Sequence, residues 1–235
     1  MKVWSFIHEK LAENKKVMLI VVVDRMGSSP GVTGFKMAVS EDGDMTGSIG
    51  GGVMEYNLVE LAKKELTKDS LKPFIKKQIH DPDAEGEKSG LICSGEQTHA
   101  FVPITKTESE IIKKIVVKLD IGDNGALTIN RNGISFDEIK KLEENSNYQF
   151  IDENNWFYKE QIGLKPTLYI FGAGHVSVPL SQIFRAIDFK VVVFDSRNDL
   201  TTFENNTFAH RKEIIDFRKA AEYVPEGNNS YVVIM

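Results

Sequence analysis

Two glycine-rich turns and one cysteine are the features of this sequence whose residue types and spacing suggest chemistry. The first turn is GSIGGG, residues 47–52, which comes directly before an amphipathic helical pattern. Successive glycines expose backbone N–H groups, and a helix start adds positive potential, so Gly50, Gly51 and Gly52 are typical of a backbone that approaches an anion. No lysine follows them, which excludes a nucleoside-triphosphate P-loop. Tight packing of these glycines beneath another element explains the pattern equally well.

Neighbouring residues bear on this anion hypothesis. Glu55 lies in the first turn of the predicted helix, where its charge suits the helix dipole but would repel an anion placed too close. Ser28 and Ser29, in the loop GSSPGVTGFK, lie near Lys36 in the sequence and would complete a phosphate site. The alternative for that loop is a solvated surface turn.

The second glycine turn is GAGHVS, which follows the apolar run LYIF and precedes a helical pattern. Gly172 and Gly174 fit the dinucleotide-binding fingerprint, and Asp195 lies 21 residues after Gly174, where a carboxylate accepts bonds from ribose hydroxyls. His175 lies where it would touch a phosphate. A βαβ unit without a nucleotide is the alternative, and Arg197 leaves NAD and NADP undecided.

Cys93 is the single cysteine, so no intramolecular disulfide forms. A lone cysteine is usually a small buried hydrophobic residue. Cys93 nevertheless lies in a polar loop between Gly90 and Gly95, a setting that suits an accessible thiol able to carry sulfur or bind a soft metal. The histidines are scattered and show no zinc-ligand spacing.

The periodicity of apolar residues predicts the elements that hold these motifs, and it indicates a two-domain α/β protein. Residues 1–163 form a mixed α/β domain, and residues 164–235 form a partial Rossmann-like domain with a parallel sheet. Only three or four of about six strands fit there, so this domain looks truncated. The predicted helices are 3–13, 54–68, 108–120, 136–144 and 175–187, the predicted strands include 17–23, 36–40, 45–49, 71–79, 98–104, 168–171, 190–195 and 230–235, and 212–223 is helix or loop.

Composition excludes several classes of protein. The net charge of −5 argues against general nucleic-acid binding. The longest apolar run, residues 17–23, is too short to cross a bilayer. The chain starts with a charged amphipathic segment rather than a signal peptide, so we expect a cytoplasmic protein. An incomplete sheet exposes an edge strand, from which we expect a homodimer that covers it.

Taken in order, these motifs resemble one family. GSSPGVTGFKM, TGSIGGGVMEY, LICSGE and a Rossmann unit running from IFGAGHVS to VVVFDSR are similar to the XdhC/CoxI family of xanthine dehydrogenase accessory factors. The resemblance covers both domains, and residues 107–163 are the least distinctive. Two positions depart from the family pattern: Ser94 replaces a glycine after the cysteine, and Gly31 follows Ser-Pro where the family often has a basic residue.

The resemblance implies a maturation role rather than a metabolic reaction. It implies binding of the molybdenum cofactor, support for its sulfuration beside a cysteine desulfurase, and delivery to a xanthine dehydrogenase-type hydroxylase. The three glycines 50–52 would approach the pterin or its phosphate, and the Cys93 thiolate would handle sulfur or contact molybdenum.

Two other functions compete with this interpretation. One is an NAD(P)-dependent oxidoreductase that uses the site from Gly172 to Asp195, although no catalytic acid or base is evident downstream. The other is an interaction module in which both glycine loops are structural. Pterin binding without turnover favours the accessory factor, substrate reduction with NAD(P) favours the enzyme, and binding of neither favours the module.

Overall fold

The chain divides into two compact units, Met1–Gly163 and Leu164–Met235. The computed structural model describes residues 2–79, 95–138, 142, 146–227 and 229–235. Each unit has its own hydrophobic clusters and its own sheets.

The first unit combines helices with two antiparallel sheets. Its helices are α1 (Lys2–Ala12), α2 (Gly52–Leu66) and α3 (Ser109–Asp120). Its strands are β1 (Val17–Met26), β2 (Lys36–Ser40), β3 (Met45–Gly47), β4 (Phe74–Ile79), β5 (Glu96–Ile104), β6 (Gly125–Asn130), β7 (Gly133–Asp137), β8 (Ser146–Asp152) and β9 (Asn155–Ile162).

Strand β1 is the centre of the larger sheet, whose order is β3-β2-β1-β5-β4. Residues 17–23 are all buried, which confirms the predicted buried strand. Side chains alternate between the two faces of a strand, and here each face has its own core. Val17, Leu19 and Val21 pack with α1 and α3, whereas Met18 and Ile20 pack against α2.

The smaller sheet of this unit has the order β7-β6-β9-β8. It shares the hydrophobic cluster of α1 and α3, to which Leu127, Ile129 and Tyr158 belong. The predicted helix at 136–144 is wrong at its start, because Phe136 and Asp137 end strand β7. Residues 139–141 and 143–145 lie outside the described part of the chain.

The second unit is a four-stranded parallel sheet, which confirms the predicted α/β class with a Rossmann-like C-terminal domain. The strand order β12-β11-β10-β13 corresponds to the first four strands of the doubly wound order 3-2-1-4-5-6. Its elements are β10 (Thr167–Phe171), α4 (Ser177–Ala186), β11 (Lys190–Asp195), α5 (Thr201–Glu204), β12 (Arg211–Ile214) and β13 (Ser230–Ile234).

The segment 212–223 of this unit differs from its prediction as helix or loop. Arg211–Ile214 forms the edge strand β12, and a 3₁₀ helix covers Phe217–Tyr223. The sequence RKEI lacks the apolar alternation by which strands are predicted. It forms a strand through backbone pairing on one side only, and charged side chains are common in such edge strands.

Candidate functional site

The buried side chain of Gln97 ties two loops of the first unit together. The Gly31 N–H donates to Gln97 Oε1 at 3.2 Å, and Gln97 Nε2 donates to the Ile49 carbonyl at 3.0 Å. Gln97 is fully buried at the start of β5. It therefore joins the loop after β1, the glycine loop before α2 and the segment that leads into β5. We call residues 27–35, 47–52 and 95–97 together the three-loop cluster.

Backbone contacts pack the three-loop cluster closely. A Cβ atom at Gly95 would lie 2.0 Å from the Ser28 carbonyl oxygen, so only glycine allows this approach. Antiparallel pairing of β1 with β5, which places Met26 opposite Glu96, brings these distant segments together. The serine loop and the glycine loop thus meet in one place, together with Gly95 and Glu96 at the start of β5. Gln97, which connects them, was not predicted, since no local pattern distinguishes it.

The glycine run contains two kinds of glycine. A Cβ at Gly50 would lie 3.0 Å from Pro30 Cγ and from the Gly31 nitrogen, so Gly50 serves internal packing. Gly51 has φ +78°, and a Cβ there would meet nothing within 4 Å. Gly51 therefore presents bare backbone to open space, whereas Gly50 does not. Gly52, the first residue of α2, is exposed and has φ +70°.

Two N–H groups of the glycine loop donate hydrogen bonds to a carboxylate of the protein itself. Glu55 Oε2 accepts bonds from the Ile49 N–H at 2.9 Å, the Gly51 N–H at 3.0 Å and the Ser48 hydroxyl at 2.7 Å. The N–H groups of Ile49 and Gly51 thus point at one carboxylate oxygen, and Glu55 fills the position that the sequence predicts for an external anion. Any external anion at these two N–H groups has to displace Glu55.

The predicted serine loop has a different environment from the one its sequence suggests. Ser28 is exposed, and Ser29 Oγ donates to the Gly31 carbonyl at 3.2 Å. Lys36 does not complete a phosphate site, because its Nζ lies 2.7 Å from Glu160 Oε1 and donates to the Gly34 carbonyl at 2.7 Å. Both side chains of this ion pair are largely buried, at 13% and 7% exposed. The charge of Lys36 is therefore neutralised inside the protein.

Cys93 lies outside the described residues, so its predicted accessibility and chemistry stay predictions. It precedes Gly95 of the three-loop cluster by two residues in the sequence.

In the second unit, the glycine turn follows strand β10 at the carboxyl edge of the parallel sheet. Gly172 has φ +116°, and its N–H donates to the Phe194 carbonyl at 2.8 Å. Ser177 is fully buried, and its hydroxyl donates to the Gly174 carbonyl at 2.7 Å. This burial fits the close helix–strand packing expected at the third position of the fingerprint. His175 is exposed beside the turn.

Asp195 organises this turn and has no acceptor position left over. Its Oδ2 accepts from the Ala173 N–H at 2.7 Å and from Arg197 Nη2 at 3.0 Å. Its Oδ1 accepts from the Arg197 N–H at 2.9 Å and from Arg197 Nε at 3.0 Å. The Arg197 side chain, with the Ala173 N–H, holds the pKa of the Asp195 carboxyl well below its usual value.

The four bonds to Asp195 bear on nucleotide binding, because a carboxylate offers about four lone-pair positions. All of them are filled from within the unit. A ribose diol would bind the Asp195 carboxylate only after the Arg197 side chain moves away.

The described residues contain no group of three or more His, Cys, Asp or Glu side chains arranged to hold a metal ion. Within the same part of the chain, no helix has both the length and the apolar character needed to cross a membrane.

Sequence models of known protein families identify the family of this chain. The sequence model of the XdhC and CoxI family matches residues 10–72, and that of the XdhC Rossmann domain matches residues 168–235. The chain belongs to the XdhC/CoxI family. No curated protein matches the chain. Membership of the XdhC/CoxI family indicates an accessory or maturation role for xanthine dehydrogenase-type enzymes and implies such an enzyme as partner.

A solved structure shares the fold of this XdhC/CoxI chain. It is the crystal structure described as a xanthine dehydrogenase from Bacillus halodurans, with a TM-score of 0.59 and 21% sequence identity. The match covers 99% of this chain and 74% of the other chain. At this identity the likeness concerns the fold only.

Proposed function

We propose that this protein binds the molybdenum cofactor, supports its sulfuration and delivers it to a xanthine dehydrogenase-type hydroxylase. The observation that supports this proposal most is the three-loop cluster. It joins the glycine loop, the serine loop and the segment that follows Cys93 through one buried side chain, Gln97. Two of the motifs that resemble the family, the serine loop and the glycine loop, therefore lie side by side in the first unit, next to Gly95.

The residues of the three-loop cluster fit an anionic pterin. The N–H groups of Ile49 and Gly51 both donate to one carboxylate oxygen of Glu55, which supports a loop geometry suited to an oxygen anion. Gly51 leaves open the space that a side chain would fill. In the proposed complex, the Glu55 carboxylate moves away from the loop, and the backbone of Gly51 and Gly52 holds the phosphate or the pterin. The exposed Ser28 hydroxyl lies on the same cluster. When bound, the cofactor supplies the molybdenum centre that the hydroxylase needs.

Cys93 is the proposed thiol for sulfuration, beside a cysteine desulfurase as second partner. A thiolate both carries sulfur and binds a soft metal. Its place in the sequence, two residues before Gly95, supports action at the three-loop cluster.

Apolar side chains around the three-loop cluster support direct contact with the hydroxylase. Met26 is 63% exposed at the end of β1, and Val53 and Tyr56 are 57% and 65% exposed in the first two turns of α2. Phe35, in the loop after β1, is 44% exposed. Exposed apolar residues of this size beside a site are typical of protein–protein contact.

The second unit supports a nucleotide less well. Gly174, where a Cβ would meet nothing within 4 Å, and the exposed His175 leave room for a phosphate beside the turn. The Asp195 carboxylate, however, is fully engaged. We therefore favour the accessory role over the NAD(P)-dependent oxidoreductase, and NAD(P) binding at this turn is a secondary proposal.

A cytoplasmic homodimer is part of the proposal. Strand β13 is an edge strand of its sheet, and its Val232 and Ile234 are 49% and 81% exposed. An exposed apolar edge favours association with a second chain. Light scattering during size-exclusion chromatography gives the mass in solution, and a monomeric mass would contradict the dimer.

The test of the proposed function is maturation of a hydroxylase. A xanthine dehydrogenase-type hydroxylase is produced in a host without its own accessory factor, either alone or together with this protein. We expect active, molybdenum-loaded hydroxylase only with this protein, and reduced activity with the Cys93→Ala variant. Equal activity with and without this protein would contradict the proposal.

A further inference from the structure

A pocket of the first unit lies at the C-terminal end of α2. It has a volume of about 470 Å³, within the range of about 300–1,000 Å³ that is usual for small-molecule sites. Its floor is apolar and consists of Met18, Phe74 and Pro103. Its rim carries three basic side chains, Lys68, Lys72 and Arg131, and one carboxylate, that of Glu65. We call this the Arg131 pocket.

Two of the cations at the rim have no acidic partner among the residues that the structure describes. Lys68 pairs with Glu65, with 2.6 Å between Nζ and Oε2. Lys72 and Arg131 form no ion pair with any residue that the structure describes. Two uncompensated positive charges therefore meet at one pocket of a chain whose net charge is −5. This charge matches a phosphate monoester, which carries about two negative charges at neutral pH.

The Arg131 guanidinium is fixed in place. It extends from the turn between β6 and β7 and donates through Nη1 to the carbonyl of Pro73, just before β4. Guanidinium has five N–H donors, so most of them stay available after this one bond. A guanidinium held by a backbone carbonyl is preorganised for an anion, because less side-chain entropy is lost on binding.

The floor offers an aromatic platform. Phe74 stacks on the fully buried Phe101, with 4.7 Å between ring centroids and an interplanar angle of 11°. This contact fixes the plane of the Phe74 ring, which also lines the pocket. Flat rings favour offset stacking on such a platform.

We propose that the Arg131 pocket binds a small flat aromatic or heterocyclic compound that carries a phosphate group. The phosphate contacts Arg131 and Lys72, and the ring lies against Phe74. This site is separate from the three-loop cluster, because the 15 residues of α2 span roughly 20 Å between the N-terminal glycines and the pocket. The inference therefore does not rest on the proposed function.

The experiment measures binding of 1-naphthyl phosphate to the full chain by isothermal titration calorimetry. Inorganic phosphate and 1-naphthol are titrated separately as the two halves of the probe. The variants are Arg131→Met, Lys72→Met and Phe74→Leu. Lys113→Met is the matched control, since Lys113 is an exposed lysine of α3 that does not line the pocket.

We expect saturable binding of the probe, and much weaker binding of either half. Arg131→Met and Lys72→Met each weaken binding roughly tenfold, the loss expected for one charge-assisted hydrogen bond. Phe74→Leu weakens binding of the probe but not of inorganic phosphate, and Lys113→Met has no effect. Lys72 is exposed, so its replacement keeps the fold and gives a result even if the Arg131 variant unfolds. Absence of binding, or equal binding by the Lys72 and Lys113 variants, would overturn the proposal.

Discussion

Replacement of Glu55 by glutamine tests whether this side chain competes with an anionic ligand for the glycine loop. Glu55 Oε2 accepts three hydrogen bonds, from the Ile49 and Gly51 N–H groups and the Ser48 hydroxyl. Glutamine keeps an oxygen acceptor of the same length and removes the charge. We expect two opposite effects: the protein loses stability, and the loop gains affinity for an anion.

The size of both effects follows from the contacts of Glu55. A hydrogen bond to a charged group contributes about 1.5–3 kcal/mol and a neutral one about 0.5–1.5 kcal/mol. Three bonds converge on a single oxygen and Ser48 is exposed, so we expect a total loss of only about 1–2 kcal/mol in the free energy of unfolding. Two charges about 4 Å apart repel by about 1 kcal/mol in water and about 4 kcal/mol near a protein surface. If Glu55→Gln removes a repulsion of about 1 kcal/mol, the loop binds an anion about fivefold more tightly.

The assay for Glu55→Gln has two parts. Urea denaturation measures the loss of stability. Anaerobic dialysis of the cofactor-loaded protein measures how long bound pterin is retained, and we expect retention about fivefold longer than in the unaltered protein. Glu60→Gln, which removes an exposed carboxylate of the same helix paired with Lys63, is the matched control. Unchanged or faster pterin loss from Glu55→Gln would refute the idea that Glu55 competes with the ligand.

Two further predictions concern buried charges. Lys36→Met leaves Glu160 buried without its partner, so we expect a loss of about 3–5 kcal/mol in urea denaturation, most of which the double variant Lys36→Met/Glu160→Gln recovers; equal losses in both variants would contradict this. Asp195→Asn removes a buried carboxylate whose pKa is lowered on folding, and because its partner Arg197 is 58% exposed we expect a loss of about 1.5–3 kcal/mol at pH 7, the value of a hydrogen bond to a charged group. The ionised carboxylate stabilises the fold fully above its unfolded pKa of about 3.9, and this stabilisation is lost as the pH falls toward the lower pKa of the folded state. The difference in melting temperature between the two proteins should therefore shrink from about pH 5 to about pH 2. A constant difference across that range would contradict the assignment.

The second unit was largely predictable because its signals are local. A strand, a glycine turn, a helix and a second strand follow each other within residues 167–195, and their contacts are between neighbours in the sequence. The exception is β12, whose charged residues carry no strand pattern. Its position depends on backbone pairing with β11, which amphipathic periodicity does not reveal.

The site of the first unit was predictable in its parts but not in its assembly. The glycine and serine loops were each found from composition. Their convergence depends on pairing between β1 and β5, which are separated by about seventy residues, and on Gln97, a residue type without a special local signature. Glu55 was placed correctly in the first turn of α2, but the direction of its side chain toward the loop depends on tertiary structure. The pairing of Lys36 with Glu160 was missed for the same reason.

The most direct test of the cofactor-carrier account is the pterin content of matched glycine variants. Gly51 and Gly122 have φ values of +78° and +75°, and a Cβ at either would meet nothing within 4 Å. Alanine therefore introduces the same backbone strain at both positions, roughly 1 kcal/mol, and only Gly51 lies in the three-loop cluster. The chains are produced in a host that makes molybdenum cofactor, purified without oxygen and oxidised, and pterin fluorescence is read per chain. The account predicts near-stoichiometric pterin in the unaltered protein and in Gly122→Ala, and a large loss in Gly51→Ala. No pterin in the unaltered protein, or equal pterin in the two variants, would contradict it.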